Sequence, residues 1–413
     1  MSLTCLVSCE EDILKELNDE LSKIEGLDNT KPLEKVALDL YIITDESTTK
    51  NAMTTVNDKI NQYLKDRKNR KFDTKLTIHY LTADEYASEI DDKTQGIVLI
   101  TGKDMLQELV SDNRLANLES KYLIHEDNTF KFAKLNATVG KKMLDVARQE
   151  ITVGSEKETA LYFVPNNHVV GSYEYLLINK AYADELHMGS DRAAEVDYAR
   201  DADGNVIYDG ANPTYNERYY ELKSAFDAAK SHTDGSGNPD RLIGVNWTDV
   251  VKVVTIDEYY KIAEYEENYY CNMLKAPVIT EEEAAEAGFA ILKDPSINDT
   301  QAYYEGTDEA NQKYKSYVQS ALEIICAINT ESELRNLLQY GIEFTNYYTV
   351  DGTVVYSTDT ATVSTDSTYK MNIEYTGDVF LAKYCVANSD WKWSAQLKES
   401  GIKQNSDAVP ASR

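Results

Sequence analysis

Val36-Ala-Leu-Asp-Leu-Tyr-Ile-Ile-Thr-Asp-Glu-Ser47 is the stretch whose reading decides the fold. Val36 to Ile43 is apolar except for Asp39, the composition of a strand buried in a sheet. Thr44-Asp45-Glu46-Ser47 reads as its outgoing loop. Residues 48–66 then place Ala52, Met53, Val56, Ile60, Tyr63 and Leu64 on one face of a helix. Lys75 to Leu81 alternates as a second strand. Gly96 to Thr101 is a short apolar third strand that feeds a helix at 103–112. Strands alternating with helices imply parallel βαβ units and a doubly wound sheet, so the fold class is α/β.

The pattern continues on both sides of this segment. Residues 10–27 space Ile13, Leu14, Leu17, Leu21 and Ile24 as an amphipathic helix ending near Gly26, and Lys31-Pro32 breaks the chain after it. Around 151–163 strands return, with Gly154 to Lys157 as a turn, and Tyr173 to Ile178 resumes after Pro165-Asn-Asn-His168. A second α/β region runs to about 276 and carries polar insertions at 201–212 and 232–240. Ala284 to Leu292, helices near 313–326 and 331–339, a Thr/Ser-rich hairpin at 349–369 and a closing segment follow. A chain of 413 residues exceeds what one core usually supports, so two lobes are expected.

Charge and motif content exclude several classes of function. A net charge of -29 disfavours nucleic acid, which needs concentrated Lys and Arg, and disfavours docking on anionic lipid. No stretch approaches the roughly 20 apolar residues that cross a bilayer. No G-x-S-x-G, G-x-G-x-x-G, Walker or H-E-x-x-H motif occurs, and the five His are scattered, so no enzyme chemistry is expected and no cofactor. Asp201, Asp203, Asn205 and Asp209 carry oxygens at calcium-loop spacing, without the central Gly or the closing Glu. A β-turn at Asp203-Gly204-Asn205 is the preferred reading there, with calcium as the alternative. Tyr outnumbers Phe 30 to 8, as suits half-wet cores and also surfaces that bind sugars or partners.

Leu6-Val7-Ser8-Cys9 resembles a bacterial lipobox, in which the Cys is acylated. The expectation is a signal-peptide remnant over 1–9 and a protein held on the outer side of the cell membrane through Cys9. Cys271, Cys326 and Cys385 are widely spaced, lack a zinc pattern, and read as buried small hydrophobes.

Three segments carry a family resemblance: Tyr41-Ile-Ile-Thr-Asp-Glu-Ser-Thr48; Pro165-Asn-Asn-His-Val-Val-Gly-Ser-Tyr-Glu-Tyr175 with Leu176 to Asn179 behind it; and Asn329-Thr-Glu-Ser-Glu-Leu-Arg-Asn-Leu-Leu-Gln-Tyr-Gly-Ile-Glu343 with Asn346-Tyr347. The last is the most specific, and it is similar to a signature of extracellular solute-binding proteins of ABC importers, carbohydrate-type lipoprotein branch. The resemblance covers nearly the whole chain and thins between 185 and 275. Family members usually continue past the segment resembling Gly401 to Pro410, so a longer second lobe is implied than the one here.

That resemblance implies a two-lobed, type II periplasmic-binding-protein-like fold. Each lobe would be a doubly wound sheet with flanking helices, and the ligand cleft would lie between them. The expected division is a linker helix over 10–33, one lobe from 34–165 and 277–348, and a second from 166–276 and 349–413. The implied function is capture of a sugar or oligosaccharide for delivery to the permease subunits, by a monomer. A surface glycan-adhesion lipoprotein, a receptor for a peptide or amino acid, and a secreted hydrolase are the alternatives.

Open α/β sheets bind ligands outside the carboxyl ends of their strands. Asp45 and Glu46 follow the first strand and Thr101 follows the third, so all three are candidate ligand residues, with N-capping by Ser47 or Thr48 as the competing role of that loop. Asn167 and His168 stand at the crossing and are candidate contacts, while Asn166 and Gly171 are candidate hinges. Trp247 and Trp391 are candidate stacking platforms that compete with ordinary core packing, and Trp393 lies beside the latter.

Overall fold

The computed structural model describes residues 32–68, 70–93, 95–119, 123–124, 129–132, 135–153, 156–168, 174–183, 223–228, 244–255, 268–275, 278–297, 308–356, 365–383, 385 and 409–410. Strand β1 (Glu34–Ile43) leads to helix α1 (Lys50–Asp66), then β2 (Phe72–Leu81), α2 (Ala83–Asp91), β3 (Gly96–Ile100) and α3 (Lys103–Ser111). A hairpin of β4 (Gln149–Val153) and β5 (Glu156–Ala160) precedes the short β6 (Phe163–Pro165). Beyond lie β7 (Glu174–Asn179), β8 (Val251–Thr255), β9 (Tyr269–Lys275) and β10 (Val278–Ile279). The chain then gives β11 (Gly288–Leu292), α4 (Glu309–Thr330), α5 (Ser332–Tyr340), the hairpin β12 (Tyr347–Val350) and β13 (Thr353–Tyr356), and β14 (Val409–Pro410).

These elements divide into two units, with boundaries after His168 and after Glu283 and a final one near the C-terminus. In the first unit, five strands stand in the order β2-β1-β3-β11-β6. β1 pairs in parallel with β2 and β3, and β11 runs antiparallel to both β3 and β6. The carboxyl ends of β1, β2, β3 and β6 therefore share one edge with the start of β11.

The sequence accounts for the helices and the sheet interior. Ala52, Val56, Ile60 and Leu64 recur every four residues and form the buried stripe of α1. Its N-cap is Thr49, whose Oγ1 accepts from the Ala52 N–H at 3.3 Å; neither Ser47 nor Thr48 caps it. All of β3 and all of β11 are buried. Gly288 of β11 must be glycine: a Cβ there would stand 2.5 Å from the Val164 carbonyl oxygen. The Tyr surplus is spent partly inside this core. The Tyr86 hydroxyl donates to the Leu99 carbonyl at 2.8 Å and accepts the Leu99 N–H at 2.7 Å. The Tyr317 hydroxyl of α4 donates to Leu292 O and accepts from Gly96 N, each at 2.7 Å. Each ring fills apolar space while its oxygen satisfies backbone groups.

Edge strand β2 is covered by side chains of α1. Asn61 accepts from Leu76 N at 2.8 Å and donates to Leu76 O at 2.7 Å, and Asn57 accepts from Ile78 N at 2.8 Å. An edge that would otherwise offer free backbone groups is thereby closed.

The C-terminal expectations change most. Residues 349–385, expected in the second lobe, belong to the first unit. Tyr340, Tyr347, Val354, Tyr356 and Cys385 form one buried cluster, which fastens the β12–β13 hairpin to the end of α5. Residues 365–383 follow as 3-10 turns and extended chain, a strap held by α5. Asn336 Nδ2 donates to Leu381 O at 2.9 Å, and Arg335 Nε and Nη2 donate to Asp378 O and Ile373 O at 3.0 and 2.8 Å. Gln339 Nε2 donates to Met371 O at 2.6 Å, and the Tyr340 hydroxyl to Lys383 O at 2.7 Å. Arg335, Asn336, Gln339 and Tyr340 of the Asn329–Glu343 motif are thus spent on this strap, while Asn329 and Thr330 bond within α4 and Glu331 pairs with Arg67. Arg335 is fully buried, and burial pushes its guanidinium down to about 10.

In the second unit the described strands β8-β7-β9 form an antiparallel sheet, a difference from the parallel arrangement expected there. The parallel pairing found is between the short strands β10 and β14. Ile178, Phe226, Val245, Val250 and Val251 make its described core. No described helix is long and apolar enough to cross a membrane.

Candidate functional site

Polar side chains gather at the carboxyl edge of the first sheet because four strands end there in register. Leu40 and Tyr41 pair with Ile97 and Val98, which sets Thr44 and Asp45 level with Thr101 and Gly102. Gly288 pairs with both Ile100 and Pro165, which brings Glu286 and Ala287 beside Asn166, Asn167 and His168. The strap lies against the same edge. Asp45 N donates to Lys370 O at 3.3 Å, and Thr48 Oγ1 donates to Lys370 O and accepts from Lys370 N, both at 3.0 Å.

Asp45 and Glu46 are exposed in the loop after β1. The Asp45 carboxylate turns back on its own loop, accepting from Ser47 N at 2.8 Å and from the Ser47 hydroxyl. These two bonds, with the charge of Lys370, hold its pKa below the ordinary carboxylate value. It therefore stays ionised, an acceptor for hydroxyl or ammonium donors. Thr101 is half-buried at the start of α3, where Gly102 with φ 128 leaves open space in place of a side chain.

Asn166, Asn167 and His168 are all buried. Asn166 N donates to Ala287 O at 2.8 Å and its Nδ2 donates to Glu374 O at 2.7 Å. Asn166 is thus tied through both backbone and side chain to groups of its own unit. Asn167 donates to Asp378 Oδ2 at 3.3 Å and its carbonyl accepts from Val379 N at 2.9 Å. His168 Nδ1 lies 2.8 Å from Asn166 O, and Nε2 lies 3.3 Å from Glu286 Oε2. Burial pulls the His168 pKa down, but the bonds to Glu286 and Asn166 and the charges of Glu286 and Glu374 outweigh it and leave it raised. Glu286 is held below its ordinary value by its bond to His168. Glu374 is raised by burial and by the nearby Glu286 charge. Tyr375 stands half-buried close enough to feel both acids.

Trp247 lies in the second unit, away from these groups in the sequence of elements, behind an Asn246–Asp249 capping box. Its ring sits 5.4 Å from that of Phe226 and has the Lys223 ammonium 5.8 Å from its centroid, so it is used in packing. Cys9, Gly171, Trp391, Trp393 and the loop of Asp201, Asp203, Asn205 and Asp209 lie outside the described residues. Among the described residues no cluster of His, Cys, Asp and Glu is arranged to hold a metal ion.

The edge thus joins Asp45, Thr101, Asn167 and His168, which sequence reading singled out, with Lys370, Glu286, Glu374 and Tyr375, which it missed. The last three carry no motif and no periodicity. The legible signal was indirect: the Arg335, Asn336 and Gln339 side chains that hold the strap. Chemically the edge offers carboxylates, hydroxyls, a buried imidazole and a half-exposed phenol, groups that bind a polyhydroxylated ligand by hydrogen bonds and ring contact.

No family model matches the chain, and no curated protein matches it. Among solved structures it is similar to the N-glycan transport solute binding protein of Streptococcus pneumoniae, at 16% identity and a TM-score of 0.45, over 91% of this chain and 83% of that one. It is also similar to a family 1 extracellular solute-binding protein of Alicyclobacillus acidocaldarius, at 12% identity and 0.36, over 92% and 88%. A third is a sugar transporter of Rhizobium etli, at 13% identity and 0.30, over 90% and 98%. All three are named as solute-binding or sugar-transport proteins.

Proposed function

We propose that this chain is the extracytoplasmic receptor of an ABC importer, anchored through Cys9, that captures a sugar or oligosaccharide without chemical change and delivers it to a permease. The observation that carries the reading is the polar carboxyl edge of the first sheet, the place where open α/β folds bind ligands. Asp45, Thr101, Lys370 and Tyr375 are the groups assigned to ligand there, with Tyr375 offering a ring face to a sugar. The motif over Asn329–Glu343 supports it, since its Arg335, Asn336 and Gln339 hold the strap that delivers Lys370 and Tyr375 to that edge. A thermal-shift screen over mono- and oligosaccharides tests it. A ligand at about 100 times its dissociation constant should stabilise the protein by roughly 2.7 kcal/mol. Tyr375→Ala should weaken that response without lowering the melting point of the free protein by more than a few degrees. If amino acids or peptides raise the melting point and no glycan does, the reading fails.

A further inference from the structure

The chain leaves the first unit after His168 and returns to it before Ala284. The roots of both passages are adjacent. β6 and β11 are antiparallel neighbours, and their ladder ends at Gly288 opposite Pro165. Asn166 N to Ala287 O adds one more bond at 2.8 Å. The pair of His168 Nε2 and Glu286 Oε2, at 3.3 Å, forms the last rung. It stands between the final residue of the outgoing root and one of the first of the returning root. Beyond it the chain belongs to the other unit.

We propose that the His168–Glu286 pair is a protonation-controlled latch that holds the roots of the two passages together. Each group facing it has a stated sign. Glu286 approaches from the start of β11. Glu374, on the strap, adds a second negative charge that favours the imidazolium. The Asn166 carbonyl accepts from Nδ1, which leaves Nε2 directed at Glu286. Tyr375 lies beside the two acids, and Asp378 holds the neighbouring Asn167. With His168 charged, both ring nitrogens donate, so the backbone bond and the ion pair exist together. With it neutral, one of the two must weaken.

The pH window follows from the directions of the two shifts. A histidine whose pKa is raised on folding contributes stability that is complete below its unfolded value of about 6.5 and disappears as pH rises through the folded one. Glu286, held below its ordinary value, contributes stability that is lost only as pH falls through that lowered pKa. The latch is therefore closed below the ordinary histidine value of about 6.5 and opens as pH rises through the higher folded one. The proposal is independent of the ligand's identity.

Hydrogen exchange of the full chain at pH 6 and pH 9, corrected for intrinsic rates, tests it alongside a ring-proton titration of the five His. In the wild type, peptides at the two roots should exchange several-fold faster at pH 9 than at pH 6. Glu286→Gln, a change at a half-exposed site, should give the fast rate already at pH 6 and remove the pH dependence. It should also lower the titration midpoint of one His only. Equal root exchange in Glu286→Gln and wild type at pH 6 would overturn the proposal, even if that midpoint moves. A rate increase spread over the whole sheet would overturn it equally, since the pair would then be general packing.

Discussion

Gly341→Ala is expected to be among the most damaging single-atom additions in the first unit. Gly341 ends α5 with φ 77 and ψ -140, a backbone region almost confined to glycine, and forcing another residue into it costs about 1–3 kcal/mol. A Cβ would also stand 2.5 Å from Oδ1 of Asn346. That amide is buried and cannot simply yield. Its Oδ1 accepts from Ile342 N at 2.7 Å, and its Nδ2 donates to Ser367 O at 2.8 Å, the bond that starts the strap. Losing a bond of this kind costs about 0.5–1.5 kcal/mol, and more where a buried group is left unpaired. The expected total is about 3–5 kcal/mol, or a fall in melting temperature on the order of 10 °C for a unit of this size. Differential scanning fluorimetry gives the first number. Limited trypsin digestion gives the second readout, because Lys370 follows Ser367 by three residues and should become the preferred cut. A melting point within about 2 °C of wild type, with Lys370 still protected, would refute the role assigned to Asn346.

Two further outcomes are expected. Asn61→Ala removes both bonds that close the edge at Leu76, and it should cost about 1–3 kcal/mol in urea unfolding while raising the tendency to aggregate; an unchanged midpoint would show that α1 covers that edge without its amides. Cys9→Ser in cells carrying the full gene should move the protein from the membrane fraction to the soluble one, and unchanged retention would dispose of the lipid anchor.

The βαβ opening was legible because its signals are local. Val36–Ile43 and Gly96–Ile100 are strands of the sort that only a covered sheet accommodates, and α1 carries a clean four-residue repeat. The cap at Thr49 was misread by one or two positions, since three hydroxyl residues in succession offer the same chemistry. The strap was illegible for a physical reason. Its backbone is satisfied by Arg335, Asn336 and Gln339, which lie tens of residues earlier in the chain, so nothing periodic marks it in its own sequence. The bonding of Asn166 was illegible for a related reason. Pro165-Asn-Asn has the composition of a turn, and its partners at Ala287 and Glu374 lie more than a hundred residues away. Glu286 and Glu374 could not be distinguished from the other acids of so acidic a chain until the fold placed them beside a buried His.

The position of β11 sets the order in which this protein can be made. Among the described strands it is the one that stands between β3 and β6, yet its residues come after the 169–283 segment of the second unit. A ribosome adding about 5–20 residues per second needs on the order of ten seconds to travel from Pro165 to Gly288. Throughout that interval β3 and β6 have no common neighbour, and an apolar face as wide as one strand waits to be filled. The inserted unit can complete its local antiparallel sheet sooner, although β14 arrives last of all. The nascent chain must therefore carry a half-built first sheet while the inserted segment is made, a state whose lifetime is fixed by translation and not by any property of the native fold.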